Sequence, residues 1–262
     1  MYTPPFERHQ RRRRRLGYLL SGAVLVIGAA GLTNWYLLRQ VDSEAPAASA
    51  NTVQSPQPAA PAPPPFDKTK LSHLKAGSLW VVVNKTHPLS PKSYTPDKVA
   101  IFKDVPIRAD VKPHLVKMFA DAKKDGVNLS MVSGYRSYSY QKQLFNSYAR
   151  RDGIKAAEAY SARPGYSEHQ TGLAADIGSA DHPGCTLEDC YAKTPAGKWL
   201  AENVYKYGFI VRYTDANHAV TGYIPEPWHL RFVGTELSNY YYDNHVSSLE
   251  EFFGVSGGDY SS

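Results

Sequence analysis

The chain has 262 residues, 42% of them hydrophobic, which is enough to build a real core and too much for a wholly disordered protein. Its 30 Lys and Arg against 24 Asp and Glu give a formal charge of +6, but seven arginines and only three acids fall within residues 1–66, leaving +2 for the rest. That removes the electrostatic case for nucleic acid as a partner of the folded part; two cysteines exclude a disulfide-dense scaffold or a cysteine-rich zinc module, so any metal must be held by His and carboxylates.

Residues 1–15 form a basic head, and Leu16 to Leu38 is a run of 23 residues without a charge. As a helix it would span ~35 Å, so residues 16–38 are predicted to be a transmembrane signal anchor. Arg8 and Arg11 to Arg15 precede it, and only Arg39 follows closely, an asymmetry that keeps the N-terminus cytoplasmic and sends the remainder to the exported side, periplasmic or extracellular. A cleaved signal peptide ending near Ala48-Ser49-Ala50 is the alternative, although its apolar region should be shorter and nearer the cut. Residues 39–66 read as a Pro/Ala-rich linker, with seven prolines between Asp42 and Pro65 and little to bury.

Residues 67–262 are predicted to be one domain. Leu79 to Val83 is β-branched and aromatic and reads as a strand, followed by a proline-punctuated, turn-rich stretch to Val105. Asp110 as N-cap, Pro113 in the first turn and Leu115, Met118, Phe119 and Ala122 at helical spacing predict a helix ending before Gly126. Leu129 to Val132 reads as a strand. A helix follows over about Ser139 to Arg151, with Leu144, Phe145 and Tyr148 inward and Gly153 as its stop, and then a short Ala-rich helix. Leu173 to Gly178 should be a strand with Ala174, Asp176 and Gly178 on one face and Leu173, Ala175 and Ile177 on the other. Thr194-Pro195 opens a helix carrying Trp199, Leu200 and Val204 that stops at Gly208; Phe209 to Tyr213 and Trp228 to Val233 are strands, and helical turns over Leu237 to Tyr242 and Leu249 to Phe253 close the chain. Without regular βαβ alternation, the fold class is α+β, with a small, largely antiparallel sheet flanked by helices.

The chemistry concentrates in three places. Asp176 sits on a face otherwise lined by small residues, seven residues after His169; alone, the pair also fits a partly solvated carboxylate and a turn histidine. Glu226-Pro227-Trp228-His229 supplies a second acid and imidazole before a strand. A catalytic zinc site takes three N/O ligands and keeps a fourth position open, which His169, Asp176 and His229 would satisfy, leaving Glu226 free as general base. Residues three apart face opposite sides of a regular strand, so Glu226 is expected in an irregular approach at Pro227. Arg136, in Ser133-Gly134-Tyr135-Arg136-Ser137 between a strand and a helix, offers a planar fork of donors for a carboxylate or an oxyanion; a surface salt bridge is its other reading.

These segments together resemble the VanY-type zinc D-alanyl-D-alanine carboxypeptidases of peptidase family M15, through Ser167…His169…Gly172…Ala174…Asp176, Glu226-Pro227-Trp228-His229 and Ser133 to Ser137, over Leu79 to about Val233. The resemblance implies one Zn2+ on His169, Asp176 and His229, Glu226 as base, Arg136 steadying the substrate or the tetrahedral intermediate, and substrate contacts from Ser167 and Gln141. It implies peptidoglycan stem peptides as substrates, cut by D,D-carboxypeptidase action. An L,D-carboxypeptidase or stem-peptide endopeptidase with the same zinc centre is the alternative, and a non-catalytic wall-binding module is the alternative from another class. Cys185 and Cys190, nine residues past Asp176, are expected to pair in an exported domain and to shape a pocket rim; service as soft zinc ligands is the competing use.

Overall fold

The computed structural model describes residues 65–261. The basic head, the run Leu16 to Leu38, the Ala48-Ser49-Ala50 site and nearly all of the linker lie outside those residues. Among the described residues no helix is long and apolar enough to cross a membrane.

In chain order the elements are β1 (Val99–Phe102), β2 (Val105–Arg108), α1 (Lys112–Lys124), β3 (Leu129–Ser133), α2 (Tyr138–Asp152), α3 (Ile154–Glu158), β4 (Ala174–Ser179), α4 (Pro195–Asn203), β5 (Phe209–Tyr213), α5 (His218–Thr221), β6 (Glu226–Phe232), α6 (Thr235–Asp243) and α7 (Leu249–Phe253). Strands β3, β4, β6 and β5 form an antiparallel sheet in that order, and β1 and β2 form a separate hairpin. The result is a mixed domain of small antiparallel sheets flanked by helices, as the pattern of short strands and capped helices implied.

Strand alternation sorts the four-stranded sheet into two faces. Ala175, Ile177, Phe209, Leu230 and Phe232 point into a core completed by Leu115, Met118 and Ala122 of α1 and by Trp199 and Leu200 of α4. A fully buried Leu or Ile there contributes about 1.5–3 kcal/mol relative to exposure. Asp176, Arg212, His229 and Arg231 occupy the opposite face and are all buried. A second core joins Trp80, Val82, Ile210 and Val233 to Leu237 and Tyr241 of α6 and Leu249 and Phe252 of α7.

Several expectations need correction. Leu79 to Val83 is not a strand. Its side chains do alternate, with Val81 and Val83 in the first core and Trp80 and Val82 in the second, but its carbonyls have no neighbouring strand. Arg231 Nη2 donates to the carbonyls of Leu79 and Val81 instead, so a buried guanidinium satisfies the backbone in place of a ladder. The stretch before Val105 contains the hairpin strand β1, whose two-residue turn, Lys103 and Asp104, takes left-handed backbone (φ 48° and 65°) without the Asn-Gly that usually announces it. Asp110 does not cap α1: the N-cap is Val111, and the Asp110 carboxylate accepts from Arg108 Nε and Nη2, both at 2.7 Å. In α2, Phe145 and Gln141 are the buried positions, while Leu144 and Tyr148 are half-buried.

Candidate metal centre and active site

The sheet ladder assembles the site. Asp176 on β4 pairs directly opposite His229 on β6, and Ser133 at the end of β3 pairs with Asp176 on its other side, so three polar residues form one row across three strands. Ser133 Oγ donates to Asp176 Oδ2 at 2.5 Å. His169 arrives from a 3-10 turn, Glu168–Thr171, which Gly172 ends at φ 70°. Gly172 also packs against Arg108, where an added Cβ would lie 3.0 Å from that residue's Cβ, so both backbone and space call for glycine.

His169 Nδ1 donates to Gly134 O at 2.7 Å, which leaves Nε2 facing Asp176 Oδ2 at 3.3 Å. His229 Nε2 faces Glu168 Oε2 at 3.2 Å, and its Nδ1 lies 3.3 Å from Asp176 Oδ1 and 3.6 Å from Glu226 Oε2. One ligand atom from each of His169, Asp176 and His229 falls within 4.8 Å of the others, and all three residues are buried. Among the described residues, His169 Nε2 and Asp176 Oδ1 are buried atoms without a hydrogen-bond partner, which is what a donor set awaiting a small cation should show. The set is two imidazoles and a carboxylate, which suits zinc.

Electrostatics agree with that fit. Burial alone would lower His229, yet hydrogen bonds to Asp176 and Glu168, with Glu226 nearby, raise it to about 9. Burial, then the charge of Arg136, lowers His169 to about 4. Burial raises the Glu226 carboxyl to about 7. Negative charge therefore exceeds positive at the His229 ring, a condition that a divalent cation relieves.

The irregularity expected at Pro227 is present, but Glu226 lies within β6 rather than in an approach before it. The β5–β6 register runs Val211↔Leu230 and then Tyr213↔Glu226, two steps on β5 against four on β6. The extra residues make a bulge at Pro227 to His229 that brings Glu226 round to the His229 side.

The row and its bulge open onto a cavity of about 230 Å³ lined by Arg136, Gln141, Ser167, Glu226, Tyr213 and Trp228, among others. Among the described residues Arg136 Nε has no partner, and its backbone N–H donates to His169 O. Gln141, on α2, donates from Nε2 to Ala162 O at 2.8 Å, while its buried Oε1 has no partner among the described residues. The Ser133 to Ser137 segment is thus used nearly residue by residue: Ser133 and Gly134 hold two of the candidate ligands, Arg136 reaches the cavity, and Ser137 caps α2 by accepting from Tyr140 N. Gly134 has no room for a side chain, since an added Cβ would lie 2.3 Å from Pro106 O. Cys185 and Cys190 form a disulfide, and Leu187, Glu188 and Asp189 from the loop it closes line the cavity.

Sequence reasoning missed the ion network behind the site. Glu168, fully buried, accepts through Oε1 from Arg212 Nε (2.8 Å) and Arg231 Nη1 (2.7 Å), and Arg212 also reaches Glu250 on α7. The signal was present: an arginine amid apolar residues in both F-I-V-R-Y and W-H-L-R-F should be buried with a partner carboxylate.

Residues 104–235 match the family model of VanY, D-alanyl-D-alanine carboxypeptidase. The putative carboxypeptidase YodJ of Bacillus subtilis is 41% identical over 187 residues, covering 67% of this chain and 67% of its own. Among solved structures, the LdcB LD-carboxypeptidase superposes with a TM-score of 0.63 at 39% identity, over 70% of this chain and 89% of that one. A mutant of the vancomycin-resistance D,D-pentapeptidase VanY in complex with Zn(II) superposes with a TM-score of 0.57 at 31% identity, over 66% and 97%.

Proposed function

This chain belongs to the VanY family of D-alanyl-D-alanine carboxypeptidases, and from that premise we propose that it is a zinc enzyme releasing a terminal D-alanine from peptidoglycan stem peptides. It is a hydrolase of the carboxypeptidase kind, so a purely wall-binding role falls away. The observation that carries the zinc reading is the convergence of His169, Asp176 and His229 at the floor of a cavity that also holds Glu226 and Arg136.

Zinc, when bound there, supplies a Lewis acid that polarises the scissile carbonyl and makes water a nucleophile at neutral pH. Glu226, beside His229 Nδ1, takes the proton of the attacking water and returns it to the leaving amine. Arg136 offers its guanidinium to the substrate carboxylate or to the developing oxyanion. Ser167 and Gln141 contact the substrate from the cavity wall.

The expected specificity is D,D, and one observation favours a second reading: of the two solved structures, the L,D-carboxypeptidase is the more similar. Incubation with synthetic tetra- and pentapeptide stems, with products weighed by mass spectrometry, separates them. Loss of one alanine from the pentapeptide supports D,D action, and loss from the tetrapeptide alone replaces it with L,D action. We also propose that residues 16–38 anchor the enzyme with its catalytic part on the exported side, which supports access to the wall; resistance to carbonate extraction tests the anchor.

A further inference from the structure

The buried ion network is larger than ligand support requires, and it extends outside the residues matched by the family model. Glu168 offers two carboxylate oxygens. Oε1 takes Arg212 Nε and Arg231 Nη1, and among the described residues Oε2 takes His229 Nε2 alone. With Glu168 Oε2 accepting from His229 Nε2, Nδ1 is the ring atom that faces Asp176 and Glu226.

Glu250 fixes the position of the Arg212 guanidinium. Its carboxylate accepts Arg212 Nη1 at 3.0 Å and Nη2 at 2.6 Å, and the guanidinium held in that position meets Glu168 through Nε. Glu250 is itself held by Asn84 Nδ2 at 2.9 Å, and the side chains of Arg212, Glu168 and Glu250 are fully or almost fully buried. Arg231 is committed elsewhere as well, through the carbonyls of Leu79 and Val81.

We propose that Glu250 is a positioning residue for His229: by holding the Arg212 fork it reserves Glu168 Oε2 for the imidazole and so orients Nδ1 toward the metal. A helix C-terminal to the family match, α7, and a loop N-terminal to it, at Asn84, thereby tune zinc affinity. Without Glu250, Arg212 can swing onto Glu168 in the two-oxygen geometry that guanidinium and carboxylate favour, and His229 loses its acceptor.

The inference rests on reading His229 as a metal ligand, and its test separates the two. Zinc affinity of the full chain is measured by competition with a chelator for wild type, Glu168→Gln and Glu250→Gln, with circular dichroism melts to verify folding. Glu168→Gln should weaken zinc binding about 10- to 100-fold, because an amide N–H facing Nε2 opposes the required tautomer, and Glu250→Gln should weaken it by about tenfold, the low end of the range for outer partners of a ligand. In zinc-loaded wild type, NMR should find the His229 Nε2–H protected from exchange, and that protection should fall in Glu250→Gln, a change that general loosening of the fold would not confine to one imidazole. A folded Glu250→Gln with wild-type affinity and wild-type protection overturns the inference. Should neither variant fold, an unprotected or absent Nε2–H in wild type overturns it as well. A wild type that binds no zinc overturns the metal reading itself.

Discussion

At the scale of single residues, the site separates holding a metal from moving a proton. Glu226 touches His229 but is outside the three-atom ligand set, whereas His169, held through Nδ1 by Gly134 O, offers its unpartnered Nε2. Glu226→Ala should therefore retain zinc and lose turnover by about 10²- to 10⁴-fold, the range for general acid–base groups, and His169→Ala should lose the metal itself. Metal analysis beside rate measurements on both variants checks this; zinc loss in Glu226→Ala would move that residue into the ligand set. These residues were legible because three short segments, Ser133 to Ser137, Ser167 to Asp176 and Glu226 to His229, carry the needed side-chain types in the pattern of one family. Glu168 was not legible, because its role depends on Arg212 and Arg231, which only sheet pairing brings to it.

At the scale of elements, spacing located most helices and strands, and the failures have physical causes. Helices with a local cap were found closely, as with Thr194, which accepts from Gly197 N at the start of α4. Leu79 to Val83 looked like a strand because it is β-branched and aromatic, but strand status needs a partner backbone, and Arg231 took that place. The irregularity at Pro227 was readable from the parity of Glu226 and His229, but its form as a bulge inside β6 was not, since register is a property of two strands. The Cys185–Cys190 loop gives an element-scale prediction. So short a closed loop contributes about 2 kcal/mol on the chain-entropy model, while its residues Leu187 to Asp189 form part of the cavity wall. The double Cys→Ser variant should stay folded with zinc bound while its activity toward stem peptides changes; zinc loss would point instead to a structural link between the loop and the ligands.

For the molecule as a whole, fold and site share one structure, since one sheet face carries two of the candidate ligands, Asp176 and His229, and the arginines, Arg212 and Arg231, that brace them through Glu168. This gives stability a pH dependence with a definite sign. Burial alone would raise Glu168 and Glu250, but Arg212 and Arg231 for the first, and Arg212 for the second, hold their carboxyls below the usual value near about 4.3. Groups lowered on folding contribute stability that is fully present above the unfolded value and is lost as pH falls through the folded one. Melting temperature should fall as pH drops below about 4, and Glu250→Gln should show a shallower fall; identical slopes would remove Glu250 from the acid-sensitive set. The most direct test of the central claim is mass-spectrometric detection of D-alanine release from synthetic stem peptides by the full chain, before chelation, after chelation, and after zinc is restored. The account predicts release that disappears with the metal and returns with it. Release unaffected by chelation, or none with zinc bound, would contradict it.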